Sequence, residues 1–187
     1  MVLTNQEKKQ ILLLARHSIE KEFNKNSKLD MSIFNSDIFA KKLGVFVTLT
    51  INRKLRGCIG YVFSDEELRI TVGNAAFQAA FHDPRFSPLT LDEYKNINLE
   101  VSILSEPFPL NSYDEIVIGK HGLLLEDMGR RALLLPQVPI EHNLDKDSFL
   151  SSLCTKAGLY ENYWKEKQLK LKGFTATVFS ENDLELE

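Results

Sequence analysis

The chain has little of several residue types that mark particular classes of protein. Its only two cysteines, Cys58 and Cys154, lack the paired spacing of a zinc knuckle or ribbon. With 9 glycines and 6 prolines among 187 residues, it has too few of these residues for long disordered tracts. The apolar run at 11–15 is too short to span a bilayer. We therefore expect a reduced, cytoplasmic protein that has no export signal and no membrane anchor.

The charge balance argues against a nucleic-acid surface. The chain has 23 Lys and Arg against 26 Asp and Glu, so its formal net charge is -3 and it has no overall basic field. It contains no glycine-rich phosphate loop, and no two histidines have the helical spacing of metal ligands. We expect no nucleic acid, no bound metal and no cofactor. Because 43% of the residues are hydrophobic, we predict one compact domain over 1–187.

Capping signals and apolar spacing predict a mixture of helices and hairpins. Thr4 and Glu7 form a capping box ahead of an apolar stripe, which predicts a helix over 4–25. Ser64 and Glu67 form a second box before an alanine-rich helix. The mixed order indicates an α+β fold with a mixed, largely antiparallel sheet covered by helices.

A short helix is predicted at 36–43, just ahead of the main body at 44–187. Within the main body, Pro84 should end the alanine-rich helix, and Thr90 and Glu93 should cap a short turn. Strands are predicted at 97–103, 116–127, 130–135 and 169–179, with a join at Met128-Gly129 and a helix from Asp147 to Gly158.

Residues 45–61 have the pattern of a β-hairpin, because apolar residues alternate along 45–51. A turn at 52–54 lets the apolar residues of both strands share one face, with the pairs Val45–Tyr61, Val47–Ile59 and Ile51–Leu55. The same register places Arg56 opposite Thr50, and Cys58 opposite Thr48, on the other face.

The segment Arg56-Gly57-Cys58-Ile59-Gly60 resembles a motif of the AMMECR family, the domain that is protein A of the AMMECR, MEMO and radical-SAM gene set. Other segments resemble this family in the same order, namely 44–49, 83–86, 100–104, 119–122, 133–138 and 154–159. The resemblance covers nearly the whole chain from residue 44 onward. One departure follows Pro139, where the family often has Glu-His-Gly-Trp and this chain has Glu141-His142-Asn143-Leu144.

The resemblance implies an α+β fold in which two unequal lobes share a sheet within one compact unit. It also implies a domain of unsettled biochemical function that is associated with MEMO-type and radical-SAM proteins. The chain itself has neither a radical-SAM Cys-x-x-x-Cys-x-x-Cys pattern nor a nonheme iron triad. The association with those proteins is therefore an analogy at the level of the family.

Cys58 is the main candidate for a catalytic residue. Gly57 and Gly60 leave its thiol uncrowded and let backbone amides approach a ligand. A nucleophilic thiol needs a neighbouring cation or base, and Arg56 lies two positions away on the same predicted strand face. The alternative is that Cys58 is a small buried residue and that the glycines relieve packing against the alanine-rich helix.

His121 and Glu100 are candidates for the groups that move protons at such a site. His121 would act as the general base for the thiol, or it would be a turn histidine that only makes hydrogen bonds. Glu100 shares the polar face of its strand with Ser102, where a carboxylate would orient His121 or pair with an arginine. The alternative for Glu100 is a charge pair with a purely structural role.

Asp83 and Arg85 bracket Pro84 in a stiff loop. Such a pair can hold a substrate carboxylate or phosphate through a bidentate arginine, or it can tie the loop to the end of the helix. The predicted substrate-binding residues are Arg56, Gly57, Gly60, Asp83, Arg85 and Ser102.

Two functions from different classes fit these residues. The first is a catalytic or accessory role on a small molecule or a modified macromolecule, in a groove where Arg56, Cys58, Glu100 and His121 converge. The second is a non-catalytic module that binds a protein or a peptide. A reactive Cys58 would favour the first, and an inert one the second.

Overall fold

A computed structural model describes residues 2–127 and 129–184 of the chain. The chain divides into two compact units, one that extends to Leu104 and resumes at Thr177, and one that spans Ser105–Ala176. In chain order the elements are α1 (Asn5–Phe23), β1 (Val45–Ile51), β2 (Lys54–Tyr61), α2 (Leu68–Phe81), α3 (Leu91–Tyr94), β3 (Asn98–Leu104), β4 (Phe108–Leu110), β5 (Gly122–Asp127), β6 (Arg130–Leu134), α4 (Val138–Glu141), α5 (Lys146–Lys156), α6 (Tyr163–Glu166), β7 (Leu171–Phe174), β8 (Ala176–Ser180) and α7 (Glu181–Leu184). Short 3-10 helices lie at Met31–Ile33, Asp37–Ala40 and Tyr113–Glu115.

The α+β prediction is confirmed, because the described residues form helices and two antiparallel four-stranded sheets. The first sheet has the strand order β2-β1-β3-β8 and the second has the order β4-β7-β5-β6. The expected single sheet, shared by two lobes, is therefore replaced by a sheet in each unit.

The first unit buries one face of its sheet against α1 and α2. Val45, Val47 and Leu49 alternate along β1, and all three are fully buried in one core with residues of both helices. Helix α2 contributes small side chains to this core, Ala75 and Ala76 among them, so its backbone approaches the sheet closely. The other face of the sheet carries the polar residues of the alternating pattern.

The predicted capping boxes have different outcomes. Thr4 and Glu7 form the predicted box at the start of α1, as do Thr90 and Glu93 at the start of α3. The Ser64–Glu67 box is wrong. Glu67 is itself the extended residue before α2 and makes no capping bond with its side chain, whereas the Ser64 hydroxyl bonds to the Thr71 hydroxyl.

Two predicted strands have different bounds in the structure. The strand predicted at 116–127 begins only at Gly122, because the chain before it makes a turn in which Lys120 and His121 donate backbone bonds to Val117. The strand predicted at 169–179 is two strands, β7 and β8, which belong to different sheets. The predicted join at Met128-Gly129 includes Met128, which lies outside the described residues.

Candidate functional site

The β1–β2 hairpin presents the candidate segment at the edge of the first sheet, because β2 is the outermost strand. Its turn contains two residues, Asn52 and Arg53, both with positive φ (50° and 63°). This is the backbone of a type I′ turn, whose twist matches that of the strands. The predicted three-residue turn is therefore wrong, and Ile51 pairs with Lys54.

A β-bulge restores the predicted register beyond the turn. Leu49 pairs with Gly57 and Thr50 pairs with Leu55, so Arg56 is the extra residue of β2. The predicted pairing of Arg56 with Thr50 is wrong for this reason. From Gly57 onward the predicted pairs are confirmed, and Cys58 lies opposite Thr48.

Cys58, Thr48 and Glu100 form a polar row across three adjacent strands. Thr48 pairs with Cys58 on one side and with Glu100 on the other, so all three side chains project from the same face. The Thr48 hydroxyl donates to Cys58 Sγ at 3.3 Å. All three residues are half-buried, on the face opposite the apolar core. We call this set the polar row.

Glu100 is an unusual carboxylate in the polar row. Burial, with the negative charge of Asp183 as a smaller cause, raises its pKa above the ordinary value of 4.5. Within the described residues no hydrogen bond reaches its side chain. Ser102 lies two residues further along β3 and is buried. Glu100 therefore has unused capacity to exchange a proton or to bind a ligand.

Asp83 and Arg85 bind the backbone of Cys58. Asp83 is buried, and its Oδ2 accepts the Cys58 N–H at 2.9 Å. Arg85 Nη2 donates to the Cys58 carbonyl at 3.2 Å and to Asp83 Oδ2 at 2.7 Å. Arg85 thus bonds to a carboxylate and to the backbone of the motif in β2, rather than to the end of the helix. Their predicted substrate-binding role stays a prediction.

These bonds have electrostatic consequences for both partners. The hydrogen bond from Arg85 is the main reason why the pKa of Asp83 lies well below its usual range. The pKa of Arg85 is raised chiefly by its hydrogen bond to Asp83.

The Arg56 side chain is hydrogen-bonded to α3. Its Nε and Nη2 donate to the two carboxylate oxygens of Glu93 at 2.8 and 3.0 Å, and Nη2 also donates to the Ser87 carbonyl. This pair lowers the pKa of Glu93 to about 2, mainly through the hydrogen bond from Arg56. The Arg56 guanidinium also lies 5.7 Å from the centre of the Phe86 ring. Among the described residues, its buried Nη1 has no hydrogen-bond partner.

Gly57 and Gly60 allow close packing on the two faces of β2. A Cβ at Gly57 would lie 2.1 Å from the Ala79 carbonyl oxygen of α2. A Cβ at Gly60 would lie 2.4 Å from the Phe46 ring. Both contacts support the packing alternative for these glycines, and their predicted role in substrate binding is untested.

His121 belongs to the second unit, where its ring is bonded to its own loop. Its Nδ1 accepts the Val117 N–H at 3.3 Å, and the ring also hydrogen-bonds to the backbone of Glu115. Burial, and to a lesser extent the charge of Lys120, lower its pKa. These bonds favour the turn-histidine alternative. Its predicted meeting with Cys58 stays a prediction.

Comparison with known proteins identifies the family. The AMMECR1 family model matches residues 12–179. The chain belongs to the AMMECR1 family. Protein Mbar_A1807 of Methanosarcina barkeri is 39% identical, over 97% of this chain and 94% of its own length. Protein SSO0193 of Saccharolobus solfataricus is 40% identical, over 91% of this chain and 80% of its own length.

A solved structure is also similar to this AMMECR1 family protein. The crystal structure of the uncharacterized protein PH0010 from Pyrococcus horikoshii superposes on this chain with a TM-score of 0.75. The two are 35% identical, and the match covers 91% of this chain and 89% of that one. Neither this description nor the names of the two curated relatives assigns an activity to the AMMECR1 domain.

Over residues 2–127 and 129–184, no three His, Cys, Asp or Glu side chains are grouped so that they could hold a metal ion. No helix in the same residues is both long enough and apolar enough to cross a membrane.

Sequence reasoning missed the partners of the candidate residues in this AMMECR1 domain. The sequence predicts only a capping role for Glu93, although its carboxylate both caps α3 and binds Arg56. It predicts Thr48 opposite Cys58, but not the hydrogen bond from the Thr48 hydroxyl to the thiol. The signal was available in both cases, since a carboxylate and a hydroxyl each make more than one bond.

Proposed function

We propose that this AMMECR1 family protein has a catalytic or accessory role on a small molecule or a modified macromolecule, at the polar row of Cys58, Thr48 and Glu100. The observation that carries the proposal is that a thiol, a hydroxyl that donates to it, and a carboxylate to which no described residue donates a hydrogen bond project from one sheet face. In this arrangement Cys58 Sγ is the nucleophile, and Glu100, two strands away, is the group that exchanges protons with the substrate rather than with the thiol.

The environment of the thiol supports this assignment of roles. The Thr48 hydroxyl donates to Cys58 Sγ, and the Arg85 guanidinium donates to the Cys58 carbonyl, so polar donors contact both the thiol and its backbone. The Cys58 backbone is held on both its N–H and its carbonyl, so the thiol is presented in a fixed position. Positioning of this kind is what a reactive group needs.

The test is the rate at which Cys58 reacts with iodoacetamide at pH ~7, near neutrality, measured by mass spectrometry of the two cysteine peptides. Cys154 is the internal control, because it is fully buried and burial raises its pKa. We expect Cys58 to react faster than a free peptide of residues 55–60. Thr48→Val should slow the reaction, and Glu100→Gln should accelerate it by removing a nearby negative charge.

The outcome that would contradict the proposal is equally specific. If Cys58 reacts no faster than the peptide, and neither variant changes its rate, the polar row has no influence on the thiol. Thermal unfolding of each variant ensures that a change in rate does not come from a loss of structure.

A non-catalytic module that binds a protein or a peptide is the second candidate. It is favoured by the internal use of three charged residues of the predicted site, since Arg56, Asp83 and Arg85 all bond within the first unit. Leu55, next to the bulge, is 45% exposed and would contribute apolar area to such a surface. An unreactive Cys58 supports this candidate over the first.

The proposal extends to protein partners and to His121. The family association supports a MEMO-type or radical-SAM protein as the partner. Binding of such purified proteins, measured by calorimetry with the native protein and with Cys58→Ser, tests this partner.

His121→Gln tests the predicted base, because it should slow the alkylation of Cys58 only if His121 acts on the thiol.

A further inference from the structure

A second candidate site lies in the second unit and shares no residue with the polar row. Beside α5 is an open cavity of about 590 Å³, a size typical of small-molecule sites. One wall is formed by the hydroxyl side chains of Ser148, Ser151, Ser152 and Thr155. The last three lie three, four and seven residues after Ser148, so all four share one face of the helix.

Ser151 links this wall to the single tryptophan of the chain. Ser151 is only 9% exposed, and its Oγ accepts a hydrogen bond from Trp164 Nε1 at 3.0 Å. Because Trp164 Nε1–H is the donor in that bond, the hydroxyl hydrogen of Ser151 remains available. Within the described residues no acceptor for that hydrogen is found. The buried hydroxyl therefore has a donor to offer to a ligand in the cavity.

The charged residues of the cavity determine which ligands fit. Lys156 and Lys165 supply two positive charges, and Asp147 and Glu161 supply two negative charges. In the part of the chain that the structure describes, none of the four forms a salt bridge. The two carboxylates would repel a polyanion, and the two ammonium groups would repel a polycation. An apolar ligand would leave the hydroxyl hydrogen of the buried Ser151 without an acceptor, at a cost of about 1–3 kcal/mol.

We propose that this cavity binds a neutral, hydroxylated small molecule, such as a sugar or another polyol. Each hydroxyl group of such a ligand can donate to Asp147 or Glu161 and can accept from lysine or serine. A polyol thus satisfies donors and acceptors of both signs without adding net charge. This cavity shares no residue with the polar row, so a failed test of one proposal does not contradict the other.

Trp164 gives a direct test, since it is the only tryptophan and bonds to the wall of the cavity. The protein is titrated with D-ribose and with D-glucose while Trp164 fluorescence is recorded. We expect a saturable change with at least one sugar in the millimolar range. Glu161→Gln should raise the dissociation constant about tenfold through loss of a charged acceptor. The matched control Glu106→Gln, an exposed glutamate that does not line the cavity, should leave it unchanged.

Three outcomes would overturn the proposal. One is a change that fails to saturate with both sugars. Another is an equal response of the native protein and Glu161→Gln, which would mean that the sugar acts elsewhere. The third is saturation by sodium phosphate or by glycine at the same concentrations with no response to either sugar, which would assign the cavity to an anion or a zwitterion.

Discussion

Replacing Asp83 by asparagine tests what holds the Cys58 segment in place. The change keeps the shape of a buried side chain but removes the charge that accepts bonds from Cys58 N–H and from Arg85. A hydrogen bond to a charged group contributes about 1.5–3 kcal/mol. Arg85 has a side chain that is 53% exposed, so its ion pair adds at most about 1 kcal/mol.

We therefore expect Asp83→Asn to lower the free energy of unfolding by about 2–4 kcal/mol. Arg85→Ala is the matched control and should cost less than Asp83→Asn, because the bond between Asp83 and Cys58 N–H survives. Urea unfolding followed by far-UV circular dichroism is the assay. Trp164 fluorescence is a poor probe here, since that residue belongs to the second unit.

The pH dependence gives an independent check on Asp83. Its folded-state pKa is depressed below the ordinary value of 3.8, so between the two values the unfolded state binds more protons. The stabilisation is fully present above pH ~4 and is lost as the pH falls towards the folded-state pKa. The difference between the native protein and Asp83→Asn should shrink below pH ~4. Equal costs for Asp83→Asn and Arg85→Ala at neutral pH would refute the reasoning.

Two further substitutions test the packing and the polar row. Gly57→Ala places a Cβ against the Ala79 carbonyl oxygen and should cost about 1–3 kcal/mol in unfolding free energy, whereas Gly73→Ala within α2 meets only a movable serine side chain and should cost less. Glu100→Gln should raise the unfolding free energy at neutral pH. A carboxyl group whose pKa is raised in the folded state stabilises the fold fully only below its pKa in the unfolded state, and it loses that contribution as the pH rises. This gain should vanish below pH ~4, and a destabilised Glu100→Gln at neutral pH would contradict the assignment.

Local signals were sufficient for much of the first unit. The Thr4–Glu7 capping box located the start of α1, because both bonds of the box form within one turn of the chain. Alternation of apolar residues identified the hairpin and set Cys58 opposite Thr48. The error at the hairpin turn was confined to three residues, since the bulge at Arg56 absorbed the difference in length.

Other features depend on contacts distant in sequence, which periodicity does not report. The strand predicted at 169–179 alternates throughout, yet it is divided at Thr175 between two sheets. An alternating pattern shows that a segment is a strand but not which sheet it joins. Glu93 shows the same limit, because the identity of its partner, Arg56, follows from how α3 lies beside β2.

The contacts of Cys58 explain why its motif fits both functions. On an edge strand, an unpaired N–H and carbonyl attract other strands, and here the side chains of Asp83 and Arg85 occupy both groups. The same two bonds that protect the edge also hold the thiol beside Thr48. Stability alone would require only the backbone bonds and the glycines. It gives no reason for the carboxylate of Glu100, two strands away, which has no hydrogen-bond partner among residues 2–127 and 129–184. Glu100 is therefore the residue whose presence favours a site over a packing motif, because burying it raises its pKa and costs stability.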